Sequence, residues 1–438
     1  MLKILANRTY RHLFLAQVIA LVGTGLATVA LGLLAFDLAG AQAGAVLGTA
    51  LAIKMTAYIG VAPIAAAFAE RLPRRAMLVS LDLVRALVAL ALPFVTEVWQ
   101  IYVLIFVLQS ASAAFTPTFQ ATIPDILPDE DDYTRALSLS RLAYDLESVA
   151  SPMLAAALLT VISFHNLFAG TVIGFLASAA LVGTVLLPKA KQTPRRSIYE
   201  RTTRGMRIFL ATPRLRGLLA LNLTVAAASA MVIVNTVVLV QSRFALPQSS
   251  TALALAAFGG GSMIAALVLP RLLKDIKDRT AMLFGGGILV VGLAVGINLT
   301  TYNFLLPLWM LLGVGYSLAQ TPSGRLLRRS AHAEDRPALF AAQFALSHAC
   351  WLITYPLAGW LGANISLTAS FVGLAVVAGG ALVVSIVIWR PAHDQESIKH
   401  THENLPDDHT HLDGQDGVDH EHPYVIDDQH RRWPDRRP

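Results

Sequence analysis

Residues 12–36 read HLFLAQVIALVGTGLATVALGLLAF, from His12 to Phe36, with no Asp, Glu, Lys or Arg in the run. An α-helix rises 1.5 Å per residue, so a helix of this length crosses the roughly 30 Å hydrocarbon core of a bilayer, where backbone groups must pair internally. Stretches of the same character recur near 43–69, 76–96, 99–123, 136–162 and 166–187, and again near 217–240, 250–273, 280–299, 303–324, 337–362 and 366–389. None alternates apolar and polar residues as a membrane barrel strand does. The composition agrees, with 55% hydrophobic residues and 14% charged, against roughly 25% charged in soluble domains. The mean hydropathy is +0.58. The expected fold is therefore an all-α polytopic membrane protein with twelve spans. The single cysteine, Cys350, excludes an internal disulfide and a paired-thiol metal or redox site. The short basic stretch Met1–Arg11 runs into the first span with no small-residue cleavage signal, so that span is expected to be retained.

An even number of spans puts both termini on one side, and the distribution of Lys and Arg says which. Arg71, Arg74 and Arg75 follow the second span; Arg271, Lys274, Lys277 and Arg279 follow the eighth; Arg325, Arg328, Arg329 and Arg336 follow the tenth. Between the sixth and seventh lie Lys189, Lys191, Arg195, Arg196, Arg201, Arg204, Arg207, Arg214 and Arg216, whereas the opposite connections carry only Arg243. Both termini are expected in the cytoplasm. The net charge of +6 follows from this topology and gives no reason to invoke nucleic acid.

The spans divide into two sets of six around a basic linker. The expected organisation is a first six-helix bundle over 1–187, a linker over 188–216, a second bundle over 217–390 and a tail over 391–438. Between the second and third spans, Ala66-Ala67-Phe68-Ala69-Glu70-Arg71-Leu72-Pro73-Arg74-Arg75 resembles the short loop motif of the major facilitator superfamily. It departs from that motif by Ala66 for glycine, Glu70 for aspartate and Pro73 for glycine. Asp278-Arg279 echoes it at the equivalent place in the second half. Ala150-Ser151-Pro152-Met153-Leu154-Ala155-Ala156 in the fifth span resembles the glycine-proline motif of exporters in that superfamily, with Pro152 as a hinge. The resemblance implies two six-helix bundles with a binding site between them near the midplane.

Charges inside spans are costly and need a partner, a wet cavity or a function. Lys54 lies in the second span, Glu147 and Asp145 in the fifth, and His348 in the eleventh. Asp145 and Glu147 are roughly 200° apart around a helix, and Arg141 is four residues before Asp145, which leaves Glu147 for substrate or proton work. A Lys54–Glu147 pair that only fixes helix packing is the alternative. His348 and Cys350 point apart on a helix and do not form one metal site. Glu70, Arg71, Arg74, Arg75, Asp82, Arg85 and Arg141 are candidates for a charge network that latches one state of an alternating-access cycle; a static Asp82–Arg85 ion pair explains that spacing equally well.

The tail changes character. From His393 to Pro438 it carries eight His, and twelve Asp or Glu against five Lys or Arg. So little apolar surface predicts disorder. The pairs His400/His402, His409/His411 and His420/His422 present imidazoles among carboxylates, a donor set suited to nickel, cobalt, copper(II) and zinc in weak, exchanging sites. It lacks the compact four-ligand spacing of a zinc finger.

With this tail the whole chain resembles the nickel-resistance permeases of the major facilitator superfamily. That resemblance implies a proton-driven exporter of nickel or cobalt in a bacterial inner membrane, with no resident cofactor and with the divalent ion as cargo. No phosphate-binding glycine loop or hydrolase motif is found, so neither enzymatic chemistry nor a nucleotide is expected. Two alternatives stay open: an exporter of drugs or siderophores with a metal-responsive tail, and a membrane-anchored metal buffer or sensor.

Overall fold

The computed structural model describes residues 2–69, 73–187, 198–272, 276–332, 335–394, 397–401, 419–427, 430 and 432–434. Six long helices build the first half: α1 (Arg8–Ala39), α2 (Ala43–Ala69), α3 (Arg74–Ala91), α4 (Val98–Ile126), α5 (Glu130–Leu158) and α6 (His165–Gly183). A shorter helix, α7 (Ile198–Ala211), precedes the second half. There α8 (Pro213–Val237), α9 (Gln248–Leu272), α10 (Asp278–Gly296), α11 (Tyr302–Gln320), the short α12 (Ser323–Arg328), α13 (Arg336–Asn364) and α14 (Leu367–Ile388) follow. Setting α7 and α12 aside leaves twelve long helices, as expected. Ten stretches among the described residues are apolar enough to span a bilayer by length and composition; the first, Arg8–Val61, runs through α1 and most of α2. Helix α5, at 29 residues, is not in this set; even its last 18 residues carry Arg141, Asp145 and Glu147.

Local chemistry fixes several helix starts by satisfying backbone N–H groups that have no partner in the helix. Asn7 accepts from Tyr10 N at 3.1 Å to open α1, Asp129 from Asp132 N at 3.0 Å to open α5, and Ser366 from Ala369 N at 2.9 Å to open α14. Helix α8 is buried on nearly all sides and ends in a π-helical turn, Val238–Arg243. Helices α3 and α14 instead expose Leu83, Leu87, Leu90 and Val376, Val383, Val387, the outward apolar surface that lipid covers.

The halves meet along two seams, α2 against α13 and α9 against α5. Since α2 and α9 are second in their bundles and α5 and α13 fifth, the seams are equivalent under exchange of the halves. At the end away from the basic loops the first seam is very close. A Cβ on Gly48 would lie 2.5 Å from the Tyr355 carbonyl oxygen, and one on Gly359 would overlap the Gly44 carbonyl. There Gln42 also donates to the Ala363 carbonyl at 3.1 Å.

The linker range contains the helix α7, and Arg214, at its end, belongs to α8, where it is 1% exposed. The arginines of the α7 sequence obscured its apolar residues Ile208 and Phe209, which are fully buried. Arg204 binds Asp335 at 2.9 Å and the missing side chain of Gly205 admits the Ala338 backbone, so α7 rests on α13. The described residues of the tail include an antiparallel pair of strands, β1 (Ser397–Thr401) and β2 (Asp419–Pro423). Beyond them Tyr424, Val425 and Ile426 are buried. Counting charges along the tail misses this short apolar run, and it is enough to dock.

Candidate functional site

Three spans bring their mid-helix polar groups together. Lys54 on α2 lies within electrostatic reach of both Glu147 on α5 and His348 on α13, and all three are half-buried. Glu147 fits against α1 because Gly25 has no side chain: a Cβ there would overlap Ser151 and lie 2.5 Å from Glu147 Oε1. Ser151, one turn further along α5, is 1% exposed.

His348 has a defined tautomer. Its Nδ1 lies 2.7 Å from the Phe344 carbonyl, which only accepts, so the proton sits on Nδ1 and Nε2 keeps its lone pair. The ring stacks on Tyr58 of α2 with centroids 5.6 Å apart and planes 16° apart, and lies 3.8 Å from the Phe344 ring. This aromatic contact crosses between the halves. Cys350, two residues on, is buried with Sγ 4.0 Å from the Leu219 carbonyl on α8, so imidazole and thiol diverge as their spacing requires.

A cavity opens from Lys54 into the first bundle, lined by Thr24 and Thr28 of α1, Gln109 and Ser112 of α4, and by Leu51, Leu108 and Phe175. Thr24, Thr28 and Ser112 donate to carbonyls four residues back in their own helices at 2.9, 3.0 and 3.0 Å. Their hydroxyl oxygens remain acceptors for a guest.

Towards the basic loops, the described members of the expected charge network form separate contacts. Arg85 pairs with Asp82, which also accepts from Ser178 Oγ at 2.7 Å, and the guanidinium lies over Phe115 and Phe175 at 4.2 and 4.5 Å. Arg74 pairs with Asp125 at the end of α4, while Arg75 donates to the Gly183 carbonyl at the end of α6. In the second half Asp278, the first residue of α10, pairs with Arg325 beyond α11. That is the Arg74–Asp125 position with the charges exchanged. Glu70 and Arg71 lie outside the described residues, as do the side chains of Arg141, Asp145 and Pro152.

Of the tail histidines, His402, His409 and His411 lie outside the described residues. The backbone register pairs His400 with His420 and Ile398 with His422, so positions 400, 420 and 422 share one face of the strand pair. Among the described residues no group of three or more His, Cys, Asp or Glu is arranged to hold a metal ion.

Twelve spanning helices in two equivalent sets, with polar groups gathered at their junction, describe a transporter, and the Major Facilitator Superfamily matches residues 13–297 and 219–423. The chain belongs to that superfamily. Within the family it is 23% identical over 345 residues to the MFS-type transporter YfiS of Bacillus subtilis, covering 74% of this chain and 78% of that one. It is 25% identical over 153 residues to macrolide efflux protein A of Streptococcus pyogenes, covering 32% of this chain and 38% of the other. The nucleoside transporter NupG superposes with a TM-score of 0.69 at 11% identity, covering 87% of this chain and all of that one. A bacterial homologue of the lysosomal transporter Spinster, in an inward-facing and unoccupied conformation, gives 0.68 at 12% identity, covering 87% and 98%. At such identities these structures establish the fold alone.

Tyr58, Phe344 and Gln109 were not legible as site residues in the sequence. Aromatic and amide side chains are ordinary in membrane helices, and only the α2–α13 seam sets Tyr58 against His348. The one available signal was spacing: Tyr58 is four residues after Lys54, and Phe344 four before His348, each on the same helical face as its polar neighbour.

Proposed function

We propose that this chain is a secondary active exporter of divalent transition metal ions, nickel foremost and cobalt next, working by alternating access in exchange for protons. It acts in a bacterial inner membrane with both termini in the cytoplasm. The observation that carries this reading is that Glu147 and the His348 imidazole, its Nε2 lone pair uncommitted to Phe344, each lie within electrostatic reach of Lys54. A carboxylate and a neutral imidazole are ligands that nickel and cobalt accept. The Lys54 ammonium balances Glu147 when no cargo is bound, and an incoming dication takes over that role. Protons and metal then compete for the same lone pairs, which couples their movement in opposite directions. The histidines of the tail raise the local ion concentration at the cytoplasmic mouth.

The test is nickel efflux from preloaded cells making the full chain, a chain ending at Arg390, or neither. Faster loss with the full chain supports metal export, and the shortened chain shows whether the tail is required. Raised cell-associated nickel would instead identify a buffer. If Glu147→Gln and His348→Ala both left efflux unchanged, the central site would be wrongly placed.

A second reading is favoured by the Tyr58–His348–Phe344 stack, an aromatic surface that suits a flat organic cargo. The partial similarity to macrolide efflux protein A points the same way. Drug resistance lost on Tyr58→Ala, with nickel tolerance unchanged by deleting the whole transporter, would favour it over metal export.

A further inference from the structure

Beyond the second strand, the chain folds back onto the end of the second bundle that carries the basic loops. Tyr424, Val425, Ile426 and His430 are 5%, 6%, 1% and 3% exposed, values typical of a protein core. Tyr424 meets Arg214 in the first turn of α8. Its guanidinium donates to Ser330 Oγ at 2.8 Å, to the Arg329 carbonyl at 2.9 Å and to the Tyr424 carbonyl at 3.4 Å, and lies 5.1 Å from the Trp433 ring.

The segment also has its own internal order. Asp427 Oδ1 accepts from His430 N at 2.6 Å, and Asp427 N donates to the His430 carbonyl at 3.2 Å, closing a turn. The Tyr424 hydroxyl donates to the Arg432 carbonyl at 2.8 Å, and its ring packs edge-on against His430 and Trp433 at 4.5 and 5.2 Å. Burial first, and then the Asp427 carboxylate, push the Tyr424 phenol up to about 12, so it remains a donor. On its outer side Asp427 Oδ2 meets His332 Nε2 at 3.3 Å, just before α13.

The other end of the tail is pinned as well. Asp394 pairs with Arg329 and accepts from Trp389 Nε1 at 3.3 Å. Arg329 therefore contacts the start of the tail through its side chain, while its carbonyl accepts from the arginine that holds the end.

We infer that Tyr424–Trp433 is a clasp that fastens the end of the tail to α8 and the α12–α13 connection, so that the histidine-bearing segment is a loop closed at both ends against the second bundle. This assignment goes beyond the proposed cargo and does not depend on it. A free tether samples a large volume. A loop closed at both ends keeps its ligands beside one bundle and moves with it through the transport cycle, at a closure entropy that grows only slowly with loop length. Whatever the loop binds is thereby linked to the arrangement of α8 and α13.

The experiment introduces a specific protease site between Asn404 and Gly414 of the full-length protein, cuts it in detergent, and follows the C-terminal fragment by gel filtration. The expected result is co-elution of fragment and membrane domain after cleavage, with at least a ten-fold drop in retained fragment for Ile426→Asp. The same variant should speed amide exchange at residues 424–427 and in the first turn of α8. A fragment that separates from the unsubstituted protein overturns the clasp. Equal retention with and without Ile426→Asp also overturns it, because the strand pair would then be the attachment. Nickel efflux plays no part in the readout, so failure of the cargo assignment and failure of the clasp are distinguishable.

Discussion

Lys54 and Glu147 illustrate the cost of a charge inside a bundle. Removing one of two opposite charges inside the bundle leaves the other uncompensated, whereas replacing both with neutral groups is often tolerated. Glu147→Gln should therefore lower the thermal unfolding midpoint in detergent, and adding Lys54→Met should restore most of that loss. Transport should remain abolished in the double variant if the pair has work beyond packing; recovery of transport along with stability would assign it to packing alone. Gly25→Leu probes the same place from α1, since any side chain there overlaps Ser151 and crowds Glu147. Loss of transport in a protein that still folds is the expected outcome, measured by uptake into vesicles beside gel filtration of the purified protein.

At the scale of elements, the α2–α13 seam and the paired ends of α3 and α4 are where motion and rigidity meet. Gly48 and Gly359 let two backbones approach to a distance that no side chain permits. Gly359→Val should hold that end apart, making a cysteine placed at Gln42 react faster with a membrane-impermeant reagent and slowing transport. Unchanged labelling would mean that the seam closes by other contacts. The Arg74–Asp125 pair is different, because it ties two helices of one bundle. Either single neutralisation should reduce transport several-fold, and the swapped pair Arg74→Asp with Asp125→Arg should regain it, as the reversed Asp278–Arg325 arrangement in the other half suggests.

For the whole molecule, the equivalence of the seams α2–α13 and α9–α5 sets Glu147 and His348 on the fifth helix of each bundle. A cargo between them touches both halves and therefore responds to any rocking of one against the other. Export of nickel with both termini in the cytoplasm requires the tail to face the preloaded compartment. Protease added to right-side-out vesicles should spare an epitope after Pro438, and added to inverted vesicles should remove it; the reverse pattern would invert the direction of the transport proposed above.

The number of spans was legible because apolar length is a one-dimensional property, and His12–Phe36 already has it. The two-bundle arrangement was legible from the central basic interruption. Lys54, Glu147 and His348 stood out because charged or titratable groups are rare in spans, although nothing in their order along the chain says that Lys54 comes within reach of the other two. That proximity depends on which helices form the seams and how each is rotated, which is settled by packing among residues far apart in the chain. The same reason hid Tyr58 and the burial of Arg214. In the tail, charge and histidine content were plain, but the docking of Tyr424–Ile426 depends on a surface built by α8 and the α12–α13 connection. Composition along the chain determined that this protein crosses a membrane and where its long apolar helices lie; only tertiary structure decided which polar groups share a site, because that rests on contacts between distant residues.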